Sequence, residues 1–253
     1  MRNRNLRFII NALSVVICAF LLTGNSLEVW AEAPMVKTQV PAYYRMMLGQ
    51  FEITALADGF IDMNTKLMRN ASEENLNKQL NRYFTDPAKA KAAVNSYLIN
   101  TGSKLVLVDP GAGTMFGPAL GKLAINMKAA GYDPSQVDAV LITHMHVDHI
   151  GGLIDAGGKP AFPKATVYVS KEESDFWLSK SEAEKVPVEM RKYFTMAQKA
   201  AEPYIAANKW KTFEGGDLPV PGIRAIPIYG HTAGHTAFEV KSVNDTMLII
   251  GDM

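Results

Sequence analysis

The sequence contains a single cysteine, Cys18, and its charges almost cancel, with 26 lysines and arginines against 25 aspartates and glutamates. Cys18 falls in an apolar segment near the N-terminus, so the rest of the chain has no thiol. This absence excludes disulfides, thiolate metal ligands and a cysteine nucleophile there, and it suits an oxidising compartment. The net charge of +1 gives no electrostatic support for a nucleic-acid partner.

The sequence also has no internal repeat, no low-complexity stretch and no G-x-S-x-G segment. The last absence excludes the nucleophile elbow that many serine hydrolases use. The chain has 253 residues, of which 48% are hydrophobic, and this is enough for one large α/β domain or two small ones.

The first 33 residues have the composition of a secretory signal peptide. Three arginines precede an apolar run from Phe8 to Leu22, which suits a signal and is short for a membrane span. Ala31-Glu32-Ala33 offers a cleavage site. We therefore predict a periplasmic or secreted protein without stable membrane association after cleavage, and one domain over residues 34–253. An uncleaved N-terminal anchor is the alternative.

Hydrophobic periodicity predicts strands that alternate with helices in both halves of the chain, which is typical of an α/β fold. We expect an irregular segment from Pro34 to Gln50 and a strand from Phe51 to Ala57 that Asp58-Gly59 closes. A helix is predicted from Ser72 to Phe84, with Ser72 as its N-cap.

Three later helices are predicted. The first covers Leu120–Ala130, and the second begins at a Ser170–Glu173 capping box. The third covers Val188–Ala207, where Pro203 should kink or divide the helix. The other strands are predicted at Asn95–Asn100, Lys104–Val108, Asp138–Thr143, Thr166–Val169, Ile223–Ile228, Ala237–Val240 and Met247–Ile250. The first two of these should form a hairpin that turns at Thr101-Gly102-Ser103, and the second is almost wholly apolar, which predicts burial on both faces.

All five histidines fall in two short segments, and the first is His144-Met145-His146-Val147-Asp148-His149. It begins where a predicted buried strand ends. In an extended segment, side chains at i and i+2 share a side, so His144 and His146 can bind one ion together. Asp148 and His149 can reach a second ion where the chain bends. Imidazole and carboxylate ligands suit zinc, and also manganese, iron or cobalt. A run of surface or core histidines is the alternative.

The second segment, Gly230 to His235, follows another predicted strand and carries the other two histidines. His231 would complete a three-histidine set on the first ion. His235 is expected to orient a ligand or to pack beside one rather than to bind metal. Asp252 follows the last predicted strand, where a carboxylate could bridge two ions; an ordinary aspartate at a strand end is the alternative.

These motifs, H-x-H-x-D-H, G-H-T-x-G-H and a hydrophobic strand that ends in G-D, resemble those of the metallo-β-lactamase superfamily. The resemblance implies an αββα sandwich, in which two mixed β-sheets are flanked by helices. It implies two divalent metal ions held by His144, His146, Asp148, His149, His231 and Asp252. The segments that resemble methyl parathion hydrolase and its secreted relatives are Tyr43–Met46, Phe51–Leu56, Asn100–Asp109 and Asp175–Ser179.

The chain stops at Met253, directly after the last predicted strand. The superfamily has a further metal-binding histidine beyond the G-D strand, whereas no histidine follows His235 here. We therefore expect a fragment whose C-terminal part is missing, with a second metal site held only by Asp148, His149 and Asp252.

The metal cluster predicts a hydrolase that attacks with a metal-bridging hydroxide, because two neighbouring ions make such a nucleophile at neutral pH. Asp148 would be catalytic by hydrogen-bonding this hydroxide and aiming it. By resemblance, Phe116, Trp177 and Phe194 would line an aromatic substrate pocket over the metals. Burial in the core is the alternative for such large aromatic residues.

We expect a small-molecule substrate, and first of all an organophosphate triester or a similar aryl ester, because aromatic walls suit a substituted phenol as leaving group. A lactone or another carboxylic ester is the alternative, since it needs the same nucleophile. A metal-binding fragment without catalytic activity is a third hypothesis. A homodimer is left open, and no nucleic-acid partner is expected.

Overall fold

The computed structural model describes residues 33–63, 68 and 70–252. Residues 1–39 and 40–253 are separate units, and the described part of the first unit, residues 33–39, contains neither helix nor strand. The predicted signal peptide therefore lies outside the described residues, apart from Ala33. None of the helices in the described part combines the length and the apolarity that crossing a membrane requires.

Seven strands form the larger sheet, and each strand lies beside its neighbour in the sequence. The pairs from β1 to β4 are antiparallel and those from β4 to β7 are parallel. The strands are β1 (Tyr43–Leu48), β2 (Phe51–Asp62), β3 (Lys91–Asn100), β4 (Leu105–Val108), β5 (Ala139–Leu141), β6 (Thr166–Ser170) and β7 (Trp210–Phe213).

The smaller sheet has four strands in the order β11-β10-β9-β8, all antiparallel. The prediction that helices alternate with strands in both halves is wrong here, because β8 to β11 follow one another without a helix. Antiparallel neighbours need only short connections, so no crossover helix is required. The strands are β8 (Gly216–Asp217), β9 (Ile223–Pro227), β10 (Thr236–Ser242) and β11 (Asp245–Ile249).

The central strands of the larger sheet are buried on both faces. In β4, Val106 and Val108 pack in a core cluster with Phe238 and Val240 of the smaller sheet. The alternate residues Leu105 and Leu107 belong to a second cluster, which includes the helices. This explains why the sequence of β4 is apolar throughout, as predicted. The helices are α1 (Glu73–Arg82), α2 (Leu123–Ala129), α3 (Val147–Ile150), α4 (Lys171–Trp177), α5 (Lys180–Lys185) and α6 (Val188–Ala206).

Two predictions about the first strands are wrong. Residues 43–48, expected to be irregular, form β1, in which every residue except Leu48 is exposed, so no apolar alternation marks the strand. β2 does not stop at Asp58-Gly59 but passes through a bulge between Ala57 and Gly59 and continues to Asp62. The reason is that Asp58 is fully buried and its carboxylate accepts three backbone N–H groups from the segment 112–123.

The predictions for the helices are confirmed with two corrections. Ser72 caps α1, since its hydroxyl accepts the N–H of Asn75. Pro203 lies inside α6 and does not divide it, because it stands in the last turn and removes a single backbone hydrogen bond. At α4, Ser170 accepts the N–H of Glu173, but the Glu173 carboxylate does not complete the predicted capping box and binds elsewhere.

Candidate metal centre

The predicted ligands all lie where strands end. The first histidine segment follows β5, and His146 is the extended residue directly before the short helix α3. This change from extended to helical backbone separates His144 and His146 from the two residues that follow, Asp148 and His149. His231 comes after β9 and Asp252 after β11, so both arrive from the smaller sheet.

The first ligand group contains three imidazoles and one carboxylate. His146 Nδ1 lies 3.0 Å from His144 Nε2 and 3.0 Å from His231 Nε2. With one carboxylate oxygen of Asp252, the four ligand atoms all lie within 4.8 Å of one another. Ring nitrogens that converge so closely point to a common centre, which is the geometry of a metal site.

The second ligand group contains Asp148, His149 and Asp252. His149 Nε2 lies 3.6 Å from Asp148 Oδ2 and 3.2 Å from Asp252 Oδ1. The other oxygen of Asp252, Oδ2, lies 3.5 Å from His231 Nε2 in the first group. The Asp252 carboxylate thus faces both groups, as a bridging ligand must.

The electrostatics of the first group favour metal binding. Burial, together with the neighbouring imidazoles, lowers the pKa of His146 to about 4 and that of His144 well below its usual value. Neutral imidazole is the form that binds a metal ion. At neutral pH both rings therefore present free lone pairs, and the donor set of nitrogen and carboxylate oxygen fits zinc or a similar divalent ion.

Asp109 supports the second group, although it belongs to no predicted ligand set. Its Oδ2 lies 2.9 Å from His149 Nδ1, and its carboxylate accepts the N–H and the hydroxyl of Thr143 at 2.8 and 2.7 Å. Although burial opposes it, Asp109 and then Asp252 raise the pKa of His149 well above its usual value. Because Nδ1 is held by Asp109, Nε2 is the nitrogen that faces the ligand group.

His235 belongs to neither ligand group among the described residues. It is fully buried, and its Nε2 accepts the backbone N–H of Asp252 at 3.2 Å. This contact fixes the backbone of Asp252, and the orienting role of His235 stays a prediction.

The structure does not bring the three predicted pocket aromatics together. Trp177 and Phe194 are buried, with their ring centroids 4.7 Å apart, and the Trp177 ring lies 5.6 Å from that of His146. Phe116 is 41% exposed and makes no aromatic ring contact within the described part of the chain. Their role in substrate binding stays a prediction.

A cavity of about 380 Å³ borders the second ligand group. Asp148, His149 and Asp252 form its polar side. Apolar residues from β2, β3 and β11 complete the wall, among them Ile61, Val94 and Ile249.

The metal-free chain should lose stability as the pH falls from 6.5 toward 4. Imidazoles of the unfolded chain titrate near 6.5, whereas the pKa of His146 is about 4 in the fold and that of His144 is lower still. The unfolded state therefore binds more protons in this window, and the free energy of unfolding falls by about 2 kcal/mol at pH 5 for His146. His149, whose pKa is raised, is protonated in the fold throughout this window, whereas the unfolded imidazole is half protonated at pH 6.5, so His149 opposes the loss of stability only at the upper end of the window.

Thermal unfolding in the presence of a chelator, measured between pH 7 and 4.5, checks this expectation. His146→Asn should flatten the dependence, because asparagine does not titrate. The same slope in this variant and in the parent chain would contradict the assignment.

The chain belongs to the metallo-beta-lactamase superfamily, whose family model matches residues 91–253. This range contains both histidine segments and Asp252. The match confirms the fold predicted from the motifs, two packed sheets with helices.

Solved structures and curated proteins are similar to the chain over most of its length. The hydrolase AbOPH of the beta lactamase superfamily is 38% identical, with a TM-score of 0.80, and the match covers 85% of this chain and 75% of that one. AidC, a dizinc quorum-quenching lactonase, is 25% identical, with a TM-score of 0.75, over 81% of this chain and 72% of that one.

A probable metallo-hydrolase of Mycobacterium tuberculosis is 27% identical over 175 residues, which are 61% of this chain and 54% of that protein. The chain thus spans about half the length of the curated relatives that it matches first.

Proposed function

We propose that this protein is a metal-dependent hydrolase that binds two divalent metal ions, with zinc as the first choice. The observation that carries the proposal is the Asp252 carboxylate, whose two oxygens face two adjacent ligand groups. Two divalent ions bound there would make a shared water nucleophilic at neutral pH and polarise the carbonyl or phosphorus centre under attack.

We assign the positioning of the attacking water to Asp148. Burial raises the pKa of this carboxyl above its usual value, so it accepts a proton more readily than an exposed aspartate does. Asp148 also lines the cavity of about 380 Å³, where a substrate can reach it.

A lactone or another carboxylic ester is the substrate class that we propose first. The similarity to AidC, which is described as a lactonase, supports this choice. The cavity beside Asp148 supports it too, because its polar side meets apolar residues such as Val94 and Ile249, which suit the alkyl part of an acylated ring.

An organophosphate triester is the second candidate. The sequence segments that resemble methyl parathion hydrolase favour it. So does the Trp177 ring beside His146, since an aromatic wall suits an aryl leaving group. Both reactions need the same nucleophile, so the ligand groups do not distinguish them. Residues 1–33 remain a proposed signal peptide, with a periplasmic or secreted location.

The metal-loaded chain should hydrolyse N-hexanoyl homoserine lactone with a kcat/KM at least about tenfold above that for paraoxon, a difference of about 1.4 kcal/mol in barrier. Acid release and nitrophenol release measure the two reactions. The opposite ranking would select the organophosphate candidate.

The control is a His144→Ala, His146→Ala double variant, which should be inactive on both substrates. A chain that holds two ions and turns over neither an ester nor a phosphotriester would contradict the proposed function.

A further inference from the structure

Glu173 is a carboxylate in an unusual place. It lies in the first turn of α4, its side chain is fully buried, and the metal-binding role proposed above does not use it. A buried carboxylate is costly unless hydrogen bonds stabilise it. Three N–H groups do so here, and they come from three different parts of the chain.

Two of these donors belong to the two histidine segments. Glu173 Oε2 accepts the backbone N–H of Met145 at 2.8 Å, and Met145 stands between His144 and His146. Glu173 Oε1 accepts the backbone N–H of Gly234 at 2.8 Å, directly before His235. The first segment follows a strand of the larger sheet and the second follows a strand of the smaller sheet, so one carboxylate connects them.

The third donor is the indole of Trp177, whose Nε1 donates to Glu173 Oε2 at 2.9 Å. The same indole packs edge-on against the His146 ring. Glu173 therefore fixes both the backbone before His146 and the aromatic ring beside its side chain.

The second segment is built to approach α4 closely. A Cβ atom at Gly234 would lie 2.3 Å from Ser170 Oγ and 2.6 Å from the backbone nitrogen of Glu173. Only glycine allows this approach, and without it the N–H of Gly234 would not reach the carboxylate.

We infer that Glu173 is a positioning residue of the metal centre. One carboxylate oxygen holds an N–H of the His144–His146 segment and the other holds an N–H of the segment that carries His231, so Glu173 sets the distance between the two segments. This inference rests on the proposed metal-dependent function. Glutamine at position 173 has a single acceptor oxygen and sets an NH₂ group against one of the N–H donors. One segment is then released, whichever way the amide turns.

The test is competition with a zinc chelator, which measures the affinity for each of the two ions without any substrate. Glu173→Gln should weaken binding at the three-histidine group by about 10- to 100-fold, the usual effect of losing a group that orients metal ligands. The matched control is Asp58→Asn, since Asp58 is equally buried and also accepts three backbone N–H groups, none from a histidine segment. At a similar loss in Tm, the Asp58→Asn control should keep the zinc affinity of the three-histidine group within about threefold of the parental value.

Equal weakening in the two variants, or unchanged affinity in Glu173→Gln, would overturn the inference. If Glu173→Gln does not fold, the Glu173→Asp variant provides the test. Aspartate keeps both oxygens but is one methylene too short to hold both segments. Parental zinc affinity in this variant would also overturn the inference. Two tightly bound ions with no turnover of any ester would refute the proposed function and leave the role of Glu173 standing.

Discussion

Replacing Asp252 with asparagine should reduce the bound metal from two ions to one per chain and lower kcat/KM by on the order of a thousandfold. Asp252 is the one residue shared by both ligand groups of the described chain, and without its charge the second group retains only Asp148 and His149. The transition-state stabilisation that a second ion supplies is several kcal/mol, and about 4 kcal/mol corresponds to a thousandfold in rate. Metal analysis of the dialysed protein and steady-state kinetics measure the two effects.

Asp245 provides the control for this experiment. It begins β11, the strand that leads to Asp252, and its carboxylate accepts the exposed N–H of Gly49 at 3.0 Å. Asp245→Asn should retain both ions and the parental activity. If Asp252→Asn also kept two ions and lost less than about tenfold in kcat/KM, Asp252 would not be a bridging ligand.

Removal of the metal ions should lower the Tm by about 10 °C or more. An ion present at a thousand times its Kd stabilises the fold by about 4 kcal/mol, and each kcal/mol shifts the Tm of a domain of this size by about 2–4 °C. The ligands come from segments of both sheets, so an ion that binds them also joins the sheets. Differential scanning fluorimetry with chelator, and again after zinc is returned, measures the shift.

Magnesium is the control ion, because it prefers an octahedral shell of oxygen ligands and should return little of the lost stability. When zinc is returned, the His231→Ala variant should regain only part of the Tm increase seen in the parent chain, since it lacks one ligand of the first group. Identical Tm values with and without chelator would show that the described groups do not bind zinc.

The sequence predicted best where local chemistry decides the structure. The β3–β4 hairpin follows from its Thr101-Gly102-Ser103 turn, in which the N–H of Thr101 donates to the carbonyl of Lys104. The metal ligands were recognisable for a similar reason, because four of them stand at fixed spacing within six residues.

The sequence predicted least where contacts between residues far apart in the chain decide the structure. Asp58-Gly59 has the composition of a turn, yet β2 continues through it, because the Asp58 carboxylate finds its donors more than 50 residues away. Asp109 and Glu173 were missed as parts of the site for the same reason. Neither residue stands in a spacing pattern with the histidines. The partners of Asp109 become neighbours when β4 pairs with β5, and the two segments that Glu173 joins become neighbours when the sheets pack.

The uneven distribution of the ligands along the chain has a consequence for when the centre forms. Four ligands lie within residues 144–149, whereas His231 comes 85 residues after His146 and Asp252 is later still. At about 5–20 residues per second of synthesis, seconds pass between the appearance of the first ligands and the last. An ion captured early by the first segment would have neither His231 nor the shared carboxylate to hold it, so it would exchange freely. We therefore expect the choice of metal to be made after synthesis, by the ions present where the chain completes its folding.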